Sequence, residues 1–394
     1  MSREVVILSG VRTAIGSYGG SLKDLPPSDL GARVVREAVA RAKIDANDVG
    51  HLVIGNVIHG ETRDMYVSRV VCLNAGLPQS CGALTVNRLC GSGMQAIVSA
   101  AQTILLGDTD TAVGGGVESM SRGGYLVPAL RHGARMGDTN AVDMMVGALT
   151  DPFDSVHMGI TAENVAAKWG ISREAQDALA VESHKRAINA IQQGYFKSQI
   201  LPIELKTRKG PVMFDTDEHP RADASLEGMA KLRAVFQKEN GTVTAGNASG
   251  INDGAAAVVL MEKSAAAKRG LKPMARLVSY GHAGVDPKFM GIGPVPAVKM
   301  ALDRAGLKIS DIDVVESNEA FAAQACAVAK DLGFDPAKTN PNGGAVALGH
   351  PIGATGAILT VKTMYELHRT GGRYGLITMC IGGGQGIAAI IERL

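Results

Sequence analysis

Aromatic side chains are scarce in this chain: they make up 4% of 394 residues, and there is one tryptophan. So few rings argue against a stacking platform for nucleic-acid bases. Charge of one sign is also lacking. The formal net charge is +2, with Lys and Arg interspersed among Asp and Glu, so no basic tract marks a nucleic-acid or membrane partner. No C-x-x-C pair occurs. The five cysteines (Cys72, Cys81, Cys90, Cys326 and Cys380) are odd in number and widely spaced, which indicates neither a zinc site nor a disulfide framework. Reduced thiols in the cytoplasm are the simplest reading. No uninterrupted apolar run reaches membrane-spanning length, and no signal-peptide core precedes the strand-like VVILSG near the start.

What is present is glycine, 49 residues of it, within an ordinary globular balance of 46% apolar and 20% charged residues. The length suggests two or three domains. Apolar runs such as EVVILSG and TAVGGG alternate with helical patterns such as LGARVVREAVARA, the signature of an α/β protein. The chain also repeats itself. Ala38–Asn56 resembles Ala301–Glu319, each a helix, a polar turn and a strand, with starts 263 residues apart. RLCGSGMQAI aligns with LGHPIGATGAI, placing Cys90 opposite His350, 260 residues later. Thr111–Ser119 resembles Thr378–Gly386. Three matches in order suggest a duplicated α/β unit. The stretch from about 119 to 250 has no counterpart and reads as an insertion over the core, of the kind that often carries substrate contacts. Within it, SREAQDALAVESHKRAINAIQQG predicts a helix starting at Ser172 and stopping at Gly194.

One segment supports two readings. From Gly91, the letters G-S-G-M-Q-A fit the dinucleotide-binding pattern, with Glu118 near the expected acidic position. From Cys90, the same letters put a thiol at the start of a helix, whose dipole favours the thiolate. LTVNRLC is too polar for the buried first strand of a dinucleotide unit, which favours the thiol. If the halves pack as equivalents, His350 lies near Cys90 and can take its proton. Cys72, Cys81 and Cys326 read as small buried hydrophobes. Cys380, at a strand end before three glycines, can be a base, a resolving thiol or packing. Asn318 is explained by a helix N-cap or by a site role. The loop NPNGGAVALGHPIGATGA around His350 is permissive enough to be shaped for a ligand. Most other histidines (His51, His59, His132, His184, His219, His282 and His368) read as surface or satisfied core residues.

Together these segments resemble the thiolase family. VNRLCGSG, NEAFAAQ, NGGAVALGHPIGATGA and CIGGGQG are similar to its four signature segments, in order, and the resemblance covers the whole chain. It implies a thiolase fold: duplicated βαβαβαβ-ββ halves in a five-layer α-β-α-β-α core with an inserted loop domain. The expected division is 1–269, including the insertion at about 119–250, and 270–394. The implied activity is that of the bacterial short-chain β-ketothiolases. It is Claisen condensation of two acetyl-CoA to acetoacetyl-CoA and CoA, with the reverse thiolysis, through an acyl-cysteine. Arg88 stands where many acetoacetyl-specific members carry Gln and broader-range members carry Arg.

By the same resemblance, Cys90 carries the acyl group, His350 generates the thiolate, and Cys380 moves the α-proton. One oxyanion site uses His350 and a water held by Asn318; the other uses the backbone N–H groups of Cys90 and Gly382. Coenzyme A is expected across the insertion, with Arg221 near the nucleotide and Ser249 near the pantetheine. His157, Met158, Met290, Ala320 and Phe321 line the tunnel. Neither a metal nor a cofactor is required, acyl-CoA thioesters being the substrates, and the expected assembly is a homotetramer, a dimer of dimers. The alternatives are a degradative 3-ketoacyl-CoA thiolase with a longer acyl pocket, an NAD-dependent oxidoreductase using Gly91 and Gly93, and a non-catalytic CoA- or lipid-binding scaffold.

Overall fold

The computed structural model describes residues 3–394. Nine strands carry the core: β1 (Val5–Arg12), β2 (His51–Gly55), β3 (Gly82–Val86), β4 (Thr111–Ser119), β5 (Asn252–Glu262), β6 (Ala275–Gly284), β7 (Val314–Ser317), β8 (Tyr374–Ile381) and β9 (Gln385–Arg393). Their hydrogen-bonded order is β7-β8-β9-β6-β1-β5-β4-β2-β3. The order is one motif used twice. In the first half β2 runs parallel to β3 and β4, while β4–β5 and β5–β1 are antiparallel. In the second, β7 runs parallel to β8, Thr339 bridges the outer edge of β7 in parallel, and β8–β9 and β9–β6 are antiparallel. The halves join through a short antiparallel contact, Val6 with Arg276 and Ile7 with Ala275.

Register fixes how the halves correspond. His51 faces Ala112 and Val314 faces Gly375, so both members of the pair are displaced by the 263 residues of the first sequence match. The third match is out of register. Thr111 corresponds to Tyr374, not Thr378. Gly114–Gly116 lie inside β4, whereas residues 382–384 form the turn between β8 and β9. The two glycine triplets are alike in composition, and their positions differ.

The helices complete the layers: α1 (Pro27–Ala42), α2 (Val67–Asn74), α3 (Ser92–Leu106), α4 (Met158–Trp169), α5 (Arg173–Gln192), α6 (Pro294–Ala305), α7 (Ala322–Leu332) and α8 (Thr355–Thr370). α3 and α8 pack on each other between the halves, α3 against β2 and β4 and α8 against β5, β7 and β8. α1 covers the other face of the first half, with α2 beside it, and α6 covers the other face of the second. The sequence of layers is helix, sheet, helix, sheet, helix. α3 belongs to the one stretch among the described residues, Leu89–Leu106, with the length and apolarity of a membrane span; more than half of it is buried inside this sandwich.

The glycines of the G-S-G run are explained here. A Cβ on Gly93 would stand 2.8 Å from the Ala357 nitrogen, and one on Gly356 would stand 2.3 Å from the Met94 nitrogen. Small residues let α3 and α8 approach backbone to backbone, and no pyrophosphate is needed to account for them. The polarity of LTVNRLC also has a cause. β3 is the outermost strand of its half and is only partly buried, so its sequence need not be the apolar run of a central parallel strand.

Between β4 and β5 lies the unpaired stretch, with α4, α5 and two small hairpins. α5 starts as predicted: the Ser172 hydroxyl accepts from the Ala175 N–H at 3.2 Å, and Gly194 follows the helix at φ +73°. α4 and α5 pack on α7. At the other end, Asp217 pairs with Arg12 of β1 at 2.7 Å, both side chains fully buried, which ties the insertion to the centre of the sheet.

Candidate active site

Cys90 sits in a turn that its sequence builds tightly. Asn87 accepts from the Leu89 N–H at 2.9 Å, and Leu89 takes a positive φ of 44°. The Ser92 hydroxyl accepts from the Arg88 N–H at 2.8 Å and donates to the Leu89 carbonyl at 2.7 Å. A non-glycine residue held in the left-handed region immediately before a thiol is backbone strain at a candidate site. The turn delivers the Cys90 sulfur beside its own N–H and that of Gly382, both of which favour the thiolate.

The thiolate expected from the helix dipole is not the resting state. Burial outweighs the two N–H donors and pushes the Cys90 thiol up to about 11. Cys380 is pushed up as well, by its own burial and then by the nearby Cys90 sulfur. Both are protonated at neutral pH, so Cys90 needs a base at the moment of reaction. A pH series tests this. Carbamidomethylation of Cys90, mapped by peptide mass, is expected to rise about tenfold per pH unit from neutrality to beyond pH 9, because rate follows thiolate fraction. A plateau near neutrality would show an already ionised thiol.

His350 is placed to be that base. Its backbone N–H donates to Asn252 Oδ1 at 2.9 Å, and its Nδ1 lies 2.7 Å from the Thr355 hydroxyl. That hydroxyl donates its hydrogen to the Pro351 carbonyl at 3.0 Å. The Thr355 oxygen therefore accepts from Nδ1–H, and Nε2 is left with its lone pair. Burial lowers the imidazole to about 4, so it is neutral and able to accept a proton. Asn318 Nδ2 lies 3.3 Å from Nε2. Asn318 is not an N-cap: β7 ends at Ser317 and α7 begins at Ala322 with Phe321 at the cap position. Its Oδ1 is buried without a protein partner.

These groups share one cavity of about 360 Å³. Of the residues expected at the site, Cys90, His157, Met158, Ser249, Met290, Ala320, Phe321, His350, Cys380 and Gly382 all line it. His157 also caps α4, its Nδ1 accepting from the Gly159 N–H at 3.0 Å, and stacks on Phe236. Asn318 lies behind His350. Arg221 does not reach the cavity; it lines a neighbouring depression with His184 and His219, and the two hollows share Ala245.

Glu118 is a residue whose role the sequence reading missed. Its carboxylate accepts from Asn56 Nδ2 at 3.0 Å and from the N–H groups of Ile58, Val57 and Gly353 at 3.1, 3.2 and 2.9 Å. It thus fastens the loop after β2 to the loop carrying His350, joining the two halves beneath the site. Burial raises it to about 8 against the pull of those donors. The sequence signal was a lone acid closing an otherwise apolar strand, TAVGGGVES. Glu319, the carboxylate closest to the signature residues in sequence, is fully engaged by Ser183, Asn340 and the Val346 N–H.

Residues 5–264 match the family model described as Thiolase, N-terminal domain, and residues 271–393 match Thiolase, C-terminal domain. The chain is 70% identical over 394 residues to Beta-ketothiolase BktB of Cupriavidus necator, with all of both chains covered. Acetyl-CoA acetyltransferase of Bacillus anthracis superposes with a TM-score of 0.97 at 46% identity, covering 100% of this chain and 99% of that one. Human mitochondrial 3-ketoacyl-CoA thiolase in complex with CoA superposes with a TM-score of 0.96 at 44% identity, covering 100% and 98%. Two thiols and an imidazole brought into one cavity by two equivalent half-sheets, with matches spanning nearly every residue, place the chain within a single group of enzymes: it belongs to the thiolase family.

Proposed function

We propose that the protein is an acetyl-CoA C-acetyltransferase. It condenses two acetyl-CoA to acetoacetyl-CoA and CoA and catalyses the reverse thiolysis, with acyl-CoA thioesters as substrates and no required metal or cofactor. The observation that carries the reading is the meeting of Cys90, Cys380 and a neutral His350, unprotonated at Nε2, in one cavity. Condensation needs a thiol to hold an acyl group and a separate base to remove an α-proton, and the site offers both. His350 takes the Cys90 proton as the thiolate attacks the thioester carbonyl. The protonated Nε2–H, with a water on Asn318, then faces one developing oxyanion. The N–H groups of Cys90 and Gly382 face the other. Fixed donors of this kind contribute roughly 3–4 kcal/mol each to the transition state.

Coenzyme A is proposed to run from Arg221 through the shared Ala245 to Ser249, with its acyl end between Met158, Met290 and Phe321. The proposed division is 1–269, with the insertion at about 119–250, and 270–394. The repeat of strand order across the halves supports it. Cytoplasmic residence agrees with the need for reduced thiols. A homotetramer agrees with the apolar residues Tyr125, Leu126, Leu130 and Met136, exposed on one arm of the insertion.

Steady-state rates of acetyl-CoA condensation and of thiolysis of 3-ketoacyl-CoA substrates of increasing chain length test the function. Turnover confined to longer chains would overturn the acetyl assignment. His350→Ala is expected to slow both directions by about 10²–10⁴-fold, the usual contribution of a positioned base. It is also expected to blunt alkylation of Cys90 near neutrality. Unchanged turnover in the folded variant would remove His350 from the site.

A further inference from the structure

Outside the cavity, α8 carries a buried ammonium group. Lys362 stands two turns beyond Thr355, on the same face of the helix. Its Nζ donates to Glu316 Oε2 at 2.8 Å and to the Gly343 carbonyl at 2.8 Å. Both charged side chains are shut from solvent, Lys362 at 2% and Glu316 at 0% exposure. Glu316 lies in β7, two residues before Asn318, and the Asn318 N–H extends the pairing of β7 with β8 by donating to the Thr378 carbonyl at 2.9 Å. Side chains two apart on an extended strand share a face, so Glu316 and Asn318 lie on the same side of β7. Gly343 lies in the loop that leads to His350.

One group thus bonds a helix, a strand and a loop. The neighbouring polar contacts each join two of the three. Asn342 Nδ2 donates to Glu366 at 2.8 Å, which ties the loop to α8 and leaves the strand out. Asn340 exchanges hydrogen bonds with the Ser317 backbone at 2.9 Å, which ties the loop to β7 and leaves α8 out. Among the described residues Glu316 has no polar partner besides Lys362, and its Oε1 is buried unbonded. Burial pushes the Glu316 carboxyl up, and Lys362 draws it back. A buried pair of this kind adds little stability over apolar side chains of the same volume; what it supplies is a directed link.

We propose that Lys362 is a positioning residue that sets Asn318 against His350 by locking β7, α8 and the loop before His350 to one another. The inference rests on the proposed use of Asn318 and His350 at one oxyanion. Lys362 touches neither residue. Thr355, at the start of α8, holds the imidazole by Nδ1 at 2.7 Å. Lys362, further along the same face, holds the strand that carries Asn318. The helix is therefore the common frame for the 3.3 Å separation of Asn318 Nδ2 and His350 Nε2. Groups that must face one oxyanion together need that separation fixed before the charge develops.

Lys362→Met alone strands a buried carboxylate, so the test pairs it with Glu316→Leu, which removes that charge and keeps no donor to Gly343. In a crystal structure of the full-length double variant, Asn318 Nδ2 and His350 Nε2 are expected beyond hydrogen-bond reach. Condensation of acetyl-CoA is expected to fall by about 10²-fold, the effect of a misplacement near 1 Å. Added to Asn318→Ala, the same two substitutions are expected to cost less than about threefold more, because residues that act as a unit are not additive. A loss of stability alone would cost the same factor in both backgrounds. An unchanged separation, a wild-type rate, or equal factors in the two backgrounds would each overturn the inference. A wild type that fails to condense acetyl-CoA would overturn the proposed activity instead, and the separation in the crystal would still decide the role of Lys362.

Discussion

Cys90→Ala is expected to lower condensation and thiolysis by about 10⁴-fold or more, as loss of the nucleophile does where catalysis is covalent. Cys90 is the thiol for which the fold makes a special turn. Leu89 is held at positive φ to present it, Ser92 pins that turn, and the N–H of Gly382 points at its sulfur. Cys380 shares the cavity but is the more strongly held in its protonated form, by burial and by Cys90 itself. Cys326 lies in a different hollow, between α5 and α7. Incubation with acetyl-CoA alone, followed by digestion and mass mapping, is therefore expected to place the acetyl group on the peptide containing Cys90. Label on Cys380 or Cys326 with none on Cys90 would sink the mechanism.

What the sequence made legible follows from which constraints are local. A turn that must present a thiol needs glycine and short polar residues next to it, so VNRLCGSG announces itself. The duplication was visible because both halves need the same helix, polar turn and strand, and the 263-residue offset of Ala38–Asn56 proved to be the register of the sheets. The third match failed because glycine serves two different ends. In β4 it makes room, a Cβ on Gly116 falling 2.2 Å from the Gly353 carbonyl, and after β8 it makes a turn. Composition does not distinguish them. The state of Cys90 was misread for a related reason. A helix start favours a thiolate, but burial opposes it, and burial is a property of the assembled halves. Glu118 was passed over because its partners, Asn56, Ile58 and Gly353, are remote in sequence and meet only after folding. The tautomer of His350 was out of reach too, since it turns on one hydroxyl hydrogen, that of Thr355, being committed to Pro351.

Cys380→Ser is expected to separate the two chemical steps. Condensation requires that a proton leave the methyl group of an acetyl thioester while the acyl group already sits on Cys90. The carboxylates nearest the site are committed elsewhere. Glu118 takes four hydrogen bonds in bracing the loops beneath it, and Glu319 takes hydrogen bonds from Ser183, Asn340 and Val346. Cys380, at the end of β8 and next to the Cys90 sulfur, remains as the proton carrier. Serine keeps the shape, but its hydroxyl is far less acidic than a thiol, so its conjugate base is out of reach at neutral pH. The variant should still take up acetyl from acetyl-CoA on Cys90, because that step draws on His350 and on the N–H groups of Cys90 and Gly382. It should lose condensation by about 10²–10⁴-fold, the range for a missing acid–base group. In deuterated water it should also stop exchanging the α-protons of bound acetyl-CoA, which the wild type exchanges whenever the proton is removed and returned. Label uptake and isotope exchange report different steps, so the pair of measurements is diagnostic. Loss of both would mean a distorted site and would leave Cys380 without a separate role. Exchange at the wild-type rate would take the α-proton away from Cys380 and give it to His350, whose Nε2 is the other base in the cavity.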